Sequence, residues 1–298
     1  MSSAPQSRLR VFVAYVACCV TWGSTWSVIK IGLEDLPPLR FAGMRMLLAG
    51  LVLLPIARPW SGKVPRGDLK MLVQVGLLQI CIPFGLMFVG QQWIPSSWAA
   101  LLFSTFPVWL LLVARMLLPG HALTPLNVVS ALLGVAGVAV MQVDQLHAES
   151  FGNAAAVGGA LILAAAAVSG FANVLARKHL MGVSTAVAVC VQTLVSGVLL
   201  FAASVVFERD QPSHWTLQSG AALVYLALGA TVATYQLLYW LLPRVPLPAV
   251  GAIPLLDTLV AVAIGVAFLG ERVTLTMVIG GGLILFGAGL ANLLPGSS

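Results

Sequence analysis

Ten apolar runs, each about as long as a bilayer is thick, constrain this chain more than any other feature. They cover 11–33, 38–57, 69–91, 96–118, 124–142, 154–178, 183–206, 217–242, 247–269 and 274–294. A helix needs about 20 apolar residues to cross a hydrocarbon core of roughly 30 Å. Lipid offers backbone N–H and C=O groups no partner, so each run is expected to satisfy its own as a helix. The runs are too long, and do not alternate with period two, as the strands of a membrane barrel would. With 60% hydrophobic and 8% charged residues, the chain lacks the polar surface a soluble fold requires. The expected fold class is therefore all-α integral membrane, with ten transmembrane helices.

The chain also repeats itself. Gly120, Thr124, Val128, Leu133 and Gly137 recur without a gap as Gly270, Thr274, Val278, Leu283 and Gly287. Residues 1–150 and 151–298 are expected to be two five-helix repeats, joined by the polar stretch Asp144–Asn153. An odd number of crossings makes the second repeat enter the bilayer upside down. Inverted halves closing around a midplane site are a recurring design of secondary transporters working by alternating access.

Charge placement predicts an orientation. With the N-terminus inside, the inner loops hold Arg8, Arg10, Arg58, Lys63, Arg66, Lys70, Arg115, Arg177, Lys178 and Arg244. The outer side keeps Lys30, Arg40, Arg209 and Arg272, a positive-inside bias that puts both termini in the cytoplasm. The first run exceeds a signal-peptide h-region and is read as a retained helix. The basic residues are dispersed rather than clustered, so no nucleic-acid partner is expected. Cys18, Cys19, Cys81 and Cys190 lie in predicted helices without C-x-x-C spacing and read as packing residues, so no metal is expected. The phosphate-cradling G-x-x-x-x-G-K loop is absent, as is the metalloprotease H-E-x-x-H, so neither a cofactor nor catalysis is expected. Small residues at three- and four-residue spacing, such as Gly134 and Gly137 or the five glycines of the tenth run, predict close helix packing. That packing could lie within a monomer or across a homodimer face.

Candidate site residues follow from depth, since a helix rises 1.5 Å per residue. Trp22, Gln79, Trp109 and Asp257 fall near the middle of their runs. Trp22 shares a face with Thr25 and Trp26; Trp109 reads more naturally as core. Thr231, Tyr235 and Tyr239 form a stripe at spacing four, and Phe84, Phe171 and Asn173 could extend it into an aromatic wall. Such a wall suits flat side chains and, through attraction to ring faces, ammonium groups. Asp257 stands out because a carboxylate at the bilayer centre costs about 2.5–3.5 kcal/mol. It is expected to bind a substrate amine, carry a proton, or tie helices together with Thr258. The expected substrate-binding set is Trp22, Thr25, Gln79, Phe84, Phe171, Asn173, Tyr235, Tyr239 and Asp257. Lys30, Arg45, Pro83, Pro107 and Pro254 are assigned gating or structural roles: Lys30 in an i, i+4 pair with Glu34, and Arg45 roughly 10 Å deep. The prolines each remove a helical hydrogen bond. Under the 150-residue offset, Pro107 matches Asp257.

The stretch Thr21-Trp22-Gly23-Ser24-Thr25-Trp26-Ser27-Val28-Ile29-Lys30, then Pro37-Pro38 and Arg45-Met46-Leu47-Leu48-Ala49, resembles the EamA-type drug/metabolite transporter superfamily. Gly270-Glu271-Arg272-Val273-Thr274, followed by Gly280 and Gly287, is similar to that family's repeat ending. Within the superfamily the chain is most similar to YddG-type exporters. The resemblance implies export of amino acids, aromatic and other apolar ones among them, across the bacterial inner membrane. Two positions depart from the pattern: Gly120-His121 replaces glycine-glutamate, and Asp257 stands where proline is common. A lipophilic cationic drug, or another small metabolite, is the alternative substrate.

Overall fold

The computed structural model describes residues 5–57, 66–118, 124–141, 143, 152–180, 182–268 and 274–293. Arg58, Trp60, Lys63, Gly120, His121, His147, Gly270, Glu271, Arg272 and most of the joining stretch lie outside the described residues. The described part is helical, and the helices coincide with the apolar runs to within a few residues at most ends. In the first half they are α1 (Pro5–Leu33), α2 (Pro38–Ala57), α3 (Arg66–Gly76), α4 (Ile82–Gly90), α5 (Ser96–Phe103), α6 (Phe106–Leu117) and α7 (Pro125–Met141). In the second half they are α8 (Asn153–His179), α9 (Thr185–Phe207), α10 (Leu217–Ala227), α11 (Thr234–Leu241), α12 (Leu247–Gly251), α13 (Ile253–Phe268) and α14 (Leu275–Leu293). Among the described residues, seven helical stretches are long and apolar enough to cross a membrane, and three shorter apolar helices cover Pro125–Val140, Leu247–Val260 and Leu275–Gly287.

Two of the runs contain a wider turn, and two are broken. Leu77–Cys81 joins α3 to α4 as a π-helix, and Leu228–Ala233 joins α10 to α11 in the same way. In the second, the hydroxyls of Thr231 and Thr234 donate to the carbonyls of Leu226 and Gly229, both five residues back. The fourth run bends between α5 and α6 at Ser104-Thr105, and the ninth between α12 and α13 at Ala252. Pro107 and Pro254 each occupy the second position of the helix that follows its bend. By helix position Pro107 therefore corresponds to Pro254, not to Asp257 as the sequence offset predicts. A ring without an N–H fits the first turn, where that N–H has no helical acceptor.

Helix α1 packs on α13, α10 and α11, while α8 packs on α4, α5 and α6. Around them α2 lies along α9, and α7 along α14. The α2–α9 contact is antiparallel: Gly43 faces Phe201, Gly197 faces Leu47, and Gly50 faces Leu194. Added Cβ atoms on Gly43 and Gly197 would lie 2.6 Å from the backbone nitrogens of Phe201 and Leu47. Only glycine permits that approach. The α7–α14 contact is antiparallel too, Gly137 facing Gly280 and Ile284 while Gly287 faces Ser130 and Gly134. These glycines thus join helices within one molecule. The buried Glu208 fastens the N-terminal end of α2, its carboxylate accepting from the backbone N–H groups of Leu39 (2.7 Å) and Arg40 (2.9 Å).

Candidate functional site

A cavity lies where α1 and α8 meet both bent runs, the first π-turn and the start of α11 just past the second. The space free of protein atoms among its lining residues is about 670 Å³, counting the solvent it opens to. Helix α1 contributes Trp22, Thr25, Trp26 and Ile29, residues at spacing three and four that form one stripe. The first π-turn contributes Gln79, α4 contributes Phe84 and Met87, and the bend of the fourth run contributes Phe103 and Phe106. Ser169 and Asn173 enter from α8, Tyr235 and Leu238 from α11, and Val250, Pro254 and Asp257 from the ninth run.

Of the nine residues expected to bind substrate, Trp22, Thr25, Gln79, Phe84, Asn173, Tyr235 and Asp257 border this cavity. Phe171 and Tyr239 do not. Phe171 sits two residues from both Ser169 and Asn173, which places it across the helix from the stripe they share. Tyr239 lies one turn beyond Tyr235, where its hydroxyl donates to Gln192 Oε1 at 2.7 Å and its ring borders a second cavity with Trp240 and Arg244. Trp109 is 38% exposed on the outer surface rather than in the core, its indole N–H bonded to Thr105 one turn back.

The second π-turn organises the aromatic side of the cavity. The Trp22 indole donates to the Ala230 carbonyl at 3.2 Å, and its ring meets Tyr235 edge-on with centroids 5.7 Å apart. Phe84 lies 6.4 Å from the same tyrosine. Arg45, given a gating or structural role from sequence, reaches this wall from α2 and is only 1% exposed. Its Nε donates to Thr231 Oγ1 at 2.9 Å, and its guanidinium carbon lies 4.7 Å from the Phe84 ring centroid. Among the described residues it forms no ion pair. Asp257 is buried in the lining contributed by the ninth run, where Gly23 brings α1 so close that a Cβ there would lie 2.5 Å from the Asp257 carbonyl oxygen.

Lys30 does not pair with Glu34. Its Nζ donates instead to the Gln91 carbonyl at 2.9 Å, just past the C-terminus of α4, where unpaired carbonyls and the helix dipole attract a cation. Pro83 opens α4 directly after the π-turn that presents Gln79. Sequence reasoning passed over Phe103, Phe106, Met87, Ser169 and Val250. Ser169 had a signal, four residues before Asn173 on one face; Phe103 and Phe106 depend on a bend that Pro107 marks but does not locate.

Comparison with known proteins adds a third line of observation. The description "EamA-like transporter family" matches residues 9–143 and again residues 156–293. The Escherichia coli protein "Uncharacterized inner membrane transporter YedA" is 29% identical over 96% of this chain and 91% of its own length. A "Probable amino-acid metabolite efflux pump" from Escherichia coli is also 29% identical, over 90% of each chain. A solved crystal structure superposes with a TM-score of 0.78 at 19% identity, covering 95% of this chain and 96% of the other.

Proposed function

This chain belongs to the EamA-like transporter family, a family of membrane transporters rather than enzymes, and on that premise we propose that it exports amino acids, aromatic and other apolar ones among them, by alternating access. The observation that carries this reading is the central cavity, whose aromatic walls hold both a buried arginine and a buried aspartate. A zwitterion with an apolar side chain complements such a site, with its ammonium towards Asp257 or a ring face. A similar protein described as a probable amino-acid metabolite efflux pump agrees with it. The likeness to YddG-type exporters points the same way.

The packing supports the inverted repeat. Corresponding runs of the two halves, α2 with α9 and α7 with α14, lie antiparallel. The contact of α1 with α13 is mirrored by that of α8 with α6, and the two π-turns recur about 150 residues apart. Irregular helix at membrane depth is tolerated where it lines a cavity, and here the first π-turn and both bent runs supply lining residues while the second π-turn lies behind Trp22 and Arg45. In this reading substrate enters from the cytoplasm, touches Trp22, Gln79, Tyr235 and Asp257, and leaves when the halves rock. Both termini are cytoplasmic and the residence is the inner membrane, as the positive-inside pattern and the inner-membrane relative suggest. The intramolecular use of Gly137 and Gly287 supports a monomer, with a homodimer through other faces as the alternative.

Export of lipophilic cations is the second reading, favoured by the aromatic wall and Asp257. The unpaired Arg45 in the same cavity works against it, since a like charge in a desolvated pocket repels a cation. Counterflow in proteoliposomes loaded with a panel of amino acids tests the choice. Saturable uptake of one labelled aromatic amino acid, driven by unlabelled amino acids inside, is the expected result. Absence of counterflow with every amino acid, in folded protein, gives the cation reading precedence.

A further inference from the structure

The cavity leaves three hydrogen-bonding side-chain atoms unmet, and they are two donors and one acceptor. Arg45 Nη1, Trp26 Nε1 and Gln79 Oε1 are all buried without a partner among the described residues, and all three residues line the cavity. Buried polar groups are ordinarily satisfied, so unmet ones in a binding cavity point to a ligand that supplies the missing partners. Two N–H donors, one of them on a cation, match the oxygens of a carboxylate. The lone acceptor matches an N–H.

Arg45 is held for this purpose rather than free to swing. Its Nε is taken by Thr231 Oγ1 at 2.9 Å, and that hydroxyl in turn donates to Leu226 O at 2.9 Å, so the π-turn fixes the guanidinium. Phe84, at 4.7 Å, and Phe88, at 5.9 Å, lie against it. The Trp26 ring is likewise packed, 5.5 Å from Phe103. Asp257 and Gln79 supply acceptors, so the cavity already holds what an ammonium group needs. The distinctive unmet demand is for an anion.

We propose that the Nη1 edge of Arg45 and the indole N–H of Trp26 form a carboxylate cradle in the central cavity, so that the transporter selects its substrates by their carboxylate before their amine. The proposal rests on the amino-acid reading but is narrower. A substrate stripped of its carboxylate leaves both donors unpaired again, whereas one stripped of its amine keeps them satisfied. Sites built to hydrogen-bond a group discriminate strongly against analogues lacking it.

The test measures binding to the purified full chain by quenching of tryptophan fluorescence, with four probes: phenylalanine, its primary amide, phenethylamine and 3-phenylpropionate. The acid and the amino acid are expected to bind at least about tenfold more tightly than the amide and the amine. Trp26→Phe keeps an aromatic ring near Phe103 but removes the N–H together with part of the indole, and should weaken the two carboxylates several-fold more than it weakens the amide. Arg45→Lys keeps the charge but gives up the fork, and should erase most of the discrimination; its melting profile checks that it folds. Phenylalanine and phenethylamine binding equally would overturn the cradle and leave the amino-acid reading standing. Phenylpropionate binding through Arg45, with no binding of phenylalanine, would keep the cradle and end the amino-acid reading. Discrimination unchanged in Trp26→Phe and in folded Arg45→Lys overturns the cradle, and binding of none of the probes overturns both.

Discussion

The α2–α9 and α7–α14 contacts and the central cavity lie side by side and obey opposite rules. Along the paired helices glycine brings backbone against backbone, and an added methyl at Gly43, Gly197 or Gly287 would meet main-chain atoms within 2.7 Å. Around the cavity the helices widen or bend, and buried polar atoms go without partners. The contrast separates two tasks. Lipid provides no hydrophobic force between helices, so close packing has to hold them together, while around the cavity three lining residues, Arg45, Trp26 and Gln79, each keep a buried polar atom without a partner among the described residues. Breaking the first kind of contact should remove the protein; altering the second should remove transport and spare the fold.

The largest effect is expected from branched side chains at the glycine contacts. Gly43→Val places atoms against the Phe201 backbone nitrogen and α-carbon, neither of which yields without moving α9. Overpacking of this kind costs about 3 kcal/mol, enough to lower the melting temperature sharply or abolish monodisperse protein. Gly287→Val should behave alike against Ser130 and Gly134. A variant that melts like the parent would mean these helices can part freely, and the contrast between the two regions would fail.

Asp257→Asn tests the cavity side. The amide is nearly isosteric, so melting should change little, while transport should fall at least about tenfold because a charged hydrogen-bond partner is lost. Rates measured across pH sharpen the assignment, for a carboxylate that cycles its proton leaves a flat profile when replaced. Unchanged rate and unchanged pH profile would return Asp257 to a purely structural role.

How much of this was legible beforehand depends on which force wrote it. Helix positions were readable because lipid demands about 20 apolar residues per crossing, and 38–57 matches α2 to the residue. The stripe Trp22, Thr25, Trp26 was readable because α1 keeps a regular 3.6-residue period through it. Where the period changes, reading fails: the π-turns add a residue to a turn without any compositional mark, and they decide what Arg45, Gln79 and Trp22 touch. Arg45 was placed by depth alone, but its partner, Thr231, is distant in sequence and sits on such a turn. The stripe through Tyr235 was extended one turn too far, to Tyr239, because Gln192 on α9 captures that hydroxyl. Pro107 was matched to Asp257 by counting, and the bend before each proline shows why counting misled: the halves differ by three residues at that point. Trp109 was judged by depth, which says nothing of which way a side chain faces.

A smaller effect should come from the support behind the cavity. Thr231→Val removes the acceptor of the Arg45 Nε and keeps the side-chain shape. A hydrogen bond to a charged group contributes about 1.5–3 kcal/mol, but the freed guanidinium can take other partners in the cavity, so a several-fold loss of affinity is the expected reading. The measurement is a binding isotherm beside a melt. A stability loss without an affinity loss would make Thr231 a packing residue of the π-turn rather than a support for the site.

The smallest effect isolates the role of contact from that of glycine itself. Gly282 lies on α14 between Gly280, which Gly137 faces, and Gly287, which faces Ser130 and Gly134, yet a Cβ on Gly282 would meet nothing within 4 Å. Gly282→Ala should therefore raise stability slightly, by up to about 1 kcal/mol, because alanine gives up less backbone freedom in a helix than glycine does. Transport should not change, since α14 contributes nothing to the lining of the cavity. If Gly282→Ala instead destabilises the protein, that open face is covered by something outside the chain, and crosslinking through a cysteine at 282 would reveal a second copy. If it is neutral or stabilising while Gly287→Val is ruinous, the glycines of one helix divide by what they face, and the packed region owes its strength to contact rather than to composition.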